Sequence, residues 1–230
     1  MSEFENKNVI VTGGTGALGS AVVGRLLELG ADVWVSCFDQ RELKRFPHTD
    51  NEKAHVVCGV DLTDEASCQS FFAKPTSLWA SIHIAGGFAM APIEETSADD
   101  WRRMIELNAT TCFLCCKYAV GRLKQSGGRI VNVAAKPAVA PVGGMVAYSA
   151  SKAAVASITQ SLAQEVQDDG VWVNAVVPSI MNTYANRAAM PGADHSRWPT
   201  VEEVAETIVF LASQRNALTH GALVPVFGKS

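Results

Sequence analysis

Two kinds of apolar run alternate along this chain. Short, almost continuous ones (KNVIVT, DVWVSCF, AHVVCGV, SIHIAGG, RIVNVAA, VWVNAVV and ALVPVF) predict seven buried strands. Between them lie longer segments whose apolar residues recur three and four apart. These are AVVGRLLELG, closed by Gly30, then DEASCQSFFA, then a long stretch from Asp99 and Asp100 through WRRMIELNATTCFLCCKYAVGRL to QSGG, and further on AYSASKAAVASITQSLAQEV and EEVAETIVFLAS. Each predicts a helix. Strands that read as unbroken apolar runs and alternate with helices predict a parallel sheet covered on both faces, an α/β architecture.

Periodicity lapses only once at length. Asn182 to Pro199, with Pro191, Gly192, His195 and Trp198, carries no helical or strand pattern. It reads as a lid, about residues 182–200, over the carboxyl edge of the sheet. No repeat or linker divides the chain, so residues 1–230 are expected to form one domain.

Composition narrows the function. At 230 residues and 48% hydrophobic the chain can bury a large core without metal or disulfide staples. Nineteen Lys and Arg against 23 Asp and Glu, with no basic cluster, exclude nucleic acid as the expected partner. The opening MSEFENKN lacks the start of a signal peptide, and no apolar run approaches the roughly 20 residues of a membrane span, so a cytoplasmic protein with no membrane partner is expected. Cys112, Cys115 and Cys116, three of the six cysteines, share a helical face and read as small buried apolar residues, with no metal site expected.

The chemistry starts directly after the first strand. Gly13, Thr15, Gly16, Ala17, Leu18 and Gly19 form a glycine-rich turn that opens a helix. Glycines let the backbone approach a pyrophosphate, and the helix amino terminus supplies unpaired N–H groups, so this turn predicts dinucleotide binding. Asp39, twenty positions beyond Gly19, is placed to accept hydrogen bonds from an adenosine ribose and to repel a 2′-phosphate. NAD is therefore the expected cofactor, with NADH preferred, and Arg41 leaves room for NADP. Asp61 is placed either to reach the adenine edge or to cap the helix near Glu65. Further on, Tyr148 and Lys152 stand four apart on one helical face. A lysine ammonium there would lower the tyrosine pKa, making it a proton-exchanging group.

TGGTGALG, IAGG, Asn108, YSASK and VPSIMNT, in this order and across the whole chain, resemble the short-chain dehydrogenase/reductase family. The resemblance implies a single-domain Rossmann fold with a seven-stranded parallel sheet, a nicotinamide cofactor and a small-molecule substrate. It implies Tyr148 as catalytic acid/base, Lys152 as its partner and a holder of the nicotinamide ribose, and Asn108 as a proton relay. Leu62, Ala85, Gly86, Gly87, Pro178, Ile180 and Thr183 would complete the cofactor contacts, Thr183 at the carboxamide. Self-association into a homodimer or homotetramer through the two longest helices is also implied.

Three positions depart from the family pattern. His83 replaces the first asparagine of the motif after the fourth strand, Ala17 takes the place of the second glycine, and Ala135 falls where a catalytic serine is expected, thirteen residues before Tyr148. The dihydropteridine reductase branch also lacks that serine, and GGTGALGS, AGGFA, Ala135-Lys136, GGMVAY and MPGADHSRW are similar to it. That resemblance implies a quinonoid dihydropteridine as hydride acceptor. It would lie on a shelf of Gly86, Gly87 and Phe88 under Met190 and Trp198, with Lys136 solvated. The alternatives are a carbonyl reductase or alcohol dehydrogenase, and an NAD(H)-binding sensor without turnover.

Overall fold

The computed structural model describes residues 2–230. Seven strands form one sheet: β1 (Asn8–Thr12), β2 (Asp32–Cys37), β3 (Ala54–Cys58), β4 (Ala80–His83), β5 (Gly128–Val133), β6 (Val171–Pro178) and β7 (Leu223–Val226). Their order is β3-β2-β1-β4-β5-β6-β7, and every neighbouring pair is parallel. The helices are α1 (Ala17–Glu28), α2 (Glu65–Phe72), α3 (Ala98–Met104), α4 (Thr111–Leu123), α5 (Lys136–Val139), α6 (Val146–Glu165), α7 (Tyr184–Ala189) and α8 (Val201–Ala212). No helix among the described residues is long and apolar enough to cross a membrane.

Alternation hidden inside each apolar run separates the two faces. Val9 and Val11 of β1 pack with Val22, Val23 and Leu26 of α1 and Ile208 of α8. Ile10 faces the other way, into a second core with Phe71 and Phe72 of α2, Leu114 of α4 and Val155 of α6. Both faces are buried, so the polar alternation that marks a half-exposed strand never appears. The strand order reverses between β1 and β4, and the crevice beyond their carboxyl ends is where such a sheet holds a ligand.

Three sequence expectations need correction. The helix predicted to run unbroken from Asp99 contains a π-helical turn, Ile105–Thr110, between α3 and α4, and it begins behind a Ser97 capping box. A one-residue insertion in a helix that is apolar on several sides leaves no trace in its periodicity. The stretch read as structureless contains α7, capped by Thr183, and a 3₁₀ turn at His195–Arg197, capped by Asp194. Both caps are single polar side chains ahead of very short helices, too local to register as a period. Gln40–Arg45 forms another 3₁₀ turn, capped by Asp39 and Glu42. Asp64, not Asp61, caps α2, because Asp61 Oδ1 accepts from the amide and hydroxyl of Thr63.

At the opposite edge of the sheet, Arg129 lies buried between Trp79 and Trp172, 5.3 and 5.6 Å from their ring centroids. It donates to the carbonyls of Gly128, Ser213 and Asn216, tying the end of α8 to β5. Arg129→Ala removes both stacking contacts and takes their donor from the Ser213 and Asn216 carbonyls. A loss of about 3 kcal/mol is expected in urea denaturation.

Candidate cofactor and active site

The glycine turn is built by close approach. Gly13 adopts φ +64, and a Cβ there would meet the Ala85 amide nitrogen at 2.7 Å. A Cβ on Gly19 would meet the Gly13 carbonyl oxygen at 2.2 Å. Glycine is therefore required at both positions, which press β1, the turn and β4 together. Gly16 is the N-cap of α1 and supplies no side-chain cap, leaving first-turn N–H groups free for an anion.

A cavity of about 500 Å³ opens at this turn. Of the predicted cofactor residues, Gly13, Thr15, Gly16, Ala17, Leu18, Gly19, Asp61, Leu62, Ala85 and Gly86 line it. Asp39 and Gly87 are not among the lining residues, nor are Pro178, Ile180, Thr183, Tyr148 and Lys152. A glycine cradle that a Cβ would fill, an uncapped helix amino terminus and a volume within the range of ligand pockets fit a dinucleotide.

Sequence reasoning missed Ser36, Phe38 and Glu42, which line the cavity beside the carboxyl end of β2. Ser36 Oγ accepts from the Gly13 amide, and Thr15 Oγ1 donates to Glu42. Asp39 sits just outside, paired with Arg41, whose hydrogen bonds hold its carboxyl down at about 2. Glu42 was legible in principle: it stands three residues after Asp39, and its carboxylate accepts from the Asp39 amide, the spacing of a capping box.

At the other end, the Ala85-Gly86-Gly87 turn is pinned by Asn108. The Asn108 carboxamide donates to the Gly87 carbonyl and the Ser151 hydroxyl, each at 3.0 Å, and accepts from the Gly87 amide at 3.0 Å. The π turn aims this side chain inward, where it is 1% exposed. Lys152 Nζ lies beside the same turn, 3.3 Å from where a Cβ on Gly86 would sit, and donates to the Val133 carbonyl at 2.8 Å. Burial draws the Lys152 ammonium down to about 8. Tyr148, one helical turn earlier, packs edge-on against Phe88 with ring centroids 4.9 Å apart. Its phenol is pushed up to about 12 by burial. The expected lowering by Lys152 does not appear: burial alone sets the direction of the phenol's shift, and the ammonium donates to Val133.

Residues 7–193 match the family model described as short chain dehydrogenase. The chain belongs to the short-chain dehydrogenase family. It is 27% identical to meso-2,3-butanediol dehydrogenase of Serratia marcescens, the alignment covering 98% of this chain and 94% of that protein. It is 32% identical to cis-4-hydroxycyclohexanecarboxylate dehydrogenase of Sinomonas cyclohexanicum, with 98% and 96% covered. A short-chain type dehydrogenase/reductase from Mycobacterium ulcerans shares the fold at TM-score 0.90 and 24% identity, covering 99% of this chain and 90% of that one. This short-chain dehydrogenase is therefore an oxidoreductase of a nicotinamide-dependent family.

The family departures have structural counterparts. Ala135 is buried at the start of α5, two residues past the carbonyl that holds Lys152, and brings no hydroxyl. His83 is a buried, hydrogen-bonded histidine, 2.7 Å from both Ser81 Oγ and Asn132 Oδ1. Lys136 is not a solvated lysine: its Nζ donates to the Ser230 carbonyl and lies over the Phe227 ring. Pro178 and Ile180 sit at and just beyond the end of β6, and the Thr183 hydroxyl accepts from the Asn186 amide. Phe88 and Met190 are exposed as a shelf and lid would require, whereas Trp198 is buried against His195.

Proposed function

We infer that the chain is an NAD(H)-dependent oxidoreductase in which Tyr148 exchanges a proton with a small organic substrate. The observation that carries this reading is the meeting of Gly86, Asn108 and Lys152 at one end of a cavity whose other end is an uncapped helix amino terminus. When bound, the nicotinamide supplies or takes up the hydride. The amides of the turn would hold the pyrophosphate, and Leu62, Ala85 and Gly86 would flank the dinucleotide on one side, with Pro178, Ile180 and Thr183 on the other. Glu42 puts a carboxylate at the adenosine end, with Asp39 just outside and paired with Arg41, so a net negative charge remains there that disfavours a 2′-phosphate and supports NADH over NADPH. Asn108 acts here as a positioning residue for Gly87, since its carboxamide is fully engaged.

Ala135 directs the choice of substrate. Carbonyl reduction builds charge on one oxygen, and a missing donor there costs about two to three orders of magnitude. A conjugated ring acceptor spreads that charge, so Tyr148 alone suffices. The acceptor best matched is a quinonoid dihydropteridine, resting on the shelf of Phe88. The second reading is a carbonyl reductase or alcohol dehydrogenase, favoured by relatives named for butanediol and hydroxycyclohexanecarboxylate oxidation.

One experiment separates them. NADH oxidation is followed with quinonoid dihydropteridine and with a panel of ketones, in the wild type and in Ala135→Ser. Fast dihydropteridine turnover, changed little by the substitution, is the expected result. A ketone rate that rises about 100-fold in Ala135→Ser would instead support lapsed carbonyl chemistry. NADH binding without turnover on any acceptor would leave a sensor.

A further inference from the structure

His83, Cys112 and Cys116 converge in a place that the reaction above does not use. His83 ends β4, while Cys112 and Cys116 stand one turn apart on the buried face of α4. A ring nitrogen of His83 and the two Sγ atoms lie within 4.8 Å of one another, and all three residues are buried. Cys116 Sγ is 3.6 Å from His83 Nδ1 and 3.6 Å from Asn132 Oδ1. A tetrahedral centre with bonds of about 2.3 Å to sulfur and about 2.0 Å to nitrogen has a sulfur–nitrogen edge of about 3.6 Å. The imidazole also has the outer partner that orients a ligating histidine, with Nε2 at 2.7 Å from Ser81 Oγ. Asn132 is fixed in turn by donating to Thr159 Oγ1 at 2.9 Å.

We propose that His83, Cys112 and Cys116 form a binding site for a thiophilic cation of the zinc(II) class, with Asn132 Oδ1 as fourth donor once its separation from His83 Nδ1 opens from 2.7 Å to about 3.3 Å. A nitrogen and two sulfurs suit such an ion and disfavour magnesium or calcium. Binding forms two metal–thiolate bonds, one metal–imidazole bond and one bond to the Asn132 carboxamide oxygen, the hydrogen bonds to that oxygen are given up, and two thiol protons pass to solvent. The proton that faces Asn132 from His83 Nδ1 is exchanged for one on Nε2, which is then donated to Ser81, a hydroxyl able to accept as readily as donate. Nothing changes oxidation state. The route of access follows from adjacency: Thr111, next to Cys112, and Ile84, next to His83, both line the large cavity. A dinucleotide in that cavity closes the route, a consequence that rests on the cofactor reading, whereas the ligand set does not.

Cadmium is the probe, titrated into the reduced full-length protein and read by the ultraviolet thiolate-to-cadmium charge-transfer band. A band saturating at equimolar cadmium is expected in the wild type and in the control carrying Cys37→Ser and Cys58→Ser. The band is lost in Cys112→Ala and in Cys116→Ala, and Ser81→Ala weakens affinity by about 10- to 100-fold. Circular dichroism establishes that each variant is folded. Should either alanine variant not fold, the ¹¹³Cd NMR shift of the wild-type complex reports directly whether two sulfurs ligate. Absence of the band, its survival in both alanine variants, or a shift without sulfur ligation overturns the proposal. Saturating NADH is expected to slow loading. Equal rates with and without NADH, in protein that binds NADH, overturn the route but not the site, and protein that binds no NADH overturns the cofactor reading alone.

Discussion

Tyr148→Phe is expected to lower kcat by about 10²- to 10⁴-fold while NADH affinity and thermal unfolding stay close to wild type. The phenol carries its proton through the neutral range, since burial pushes it up to about 12. It is therefore poised as a donor in the reductive direction. With Ala135 offering no hydroxyl, no second donor at that position can take over. Phenylalanine keeps the ring and its edge contact with Phe88, so the substitution removes one O–H and little else. Steady-state rates on the acceptor that the wild type turns over test this. A variant within about threefold of wild type would contradict the acid role.

Lys152→Met is expected to abolish turnover to a similar degree and yet to stabilise the protein at pH 7. The lysine is buried, and its ammonium is drawn from 10.5 to about 8 by the loss of water. That shift corresponds to a net penalty of about 3 kcal/mol on the charged form, which removal of the ammonium relieves. The sign follows from proton binding: between pH 8 and 10.5 the unfolded chain holds the Lys152 proton and the folded chain does not, so stability rises with pH there. The penalty is complete below pH 8 and fades as the pH climbs toward 10.5. Urea unfolding at pH 7 and at about pH 10 checks both parts, since the variant's advantage should shrink at the higher pH. A variant less stable than wild type at pH 7 would show that the ammonium contributes to the fold instead of burdening it.

Much of the architecture was legible because burial on both faces makes each strand an unbroken apolar run, as in KNVIVT and VWVNAVV. The glycine turn was legible for a related reason: close approach admits no Cβ at Gly13 or Gly19, so its chemistry is written in the residues themselves. The π turn at Asn108 was not, since it changes the direction of one side chain without changing which residues are apolar. Helix α7 was hidden by its shortness. The spacing of Tyr148 and Lys152 put them on one face but could not reveal that Nζ turns to Val133. The grouping of His83 with Cys112 and Cys116 was equally silent, because it arises only when β4 and α4 pack together.

The cavity beyond β1 and β4 is expected to take up NADH, and calorimetric titration of the wild-type protein with NADH, and separately with NADPH, tests this. Saturable equimolar binding of NADH is predicted, tighter than NADPH because Glu42 in the cavity wall and the Asp39–Arg41 pair beside it leave net negative charge at the end proposed for the adenosine. No heat of binding with either dinucleotide, or tighter binding of NADPH, would contradict the account.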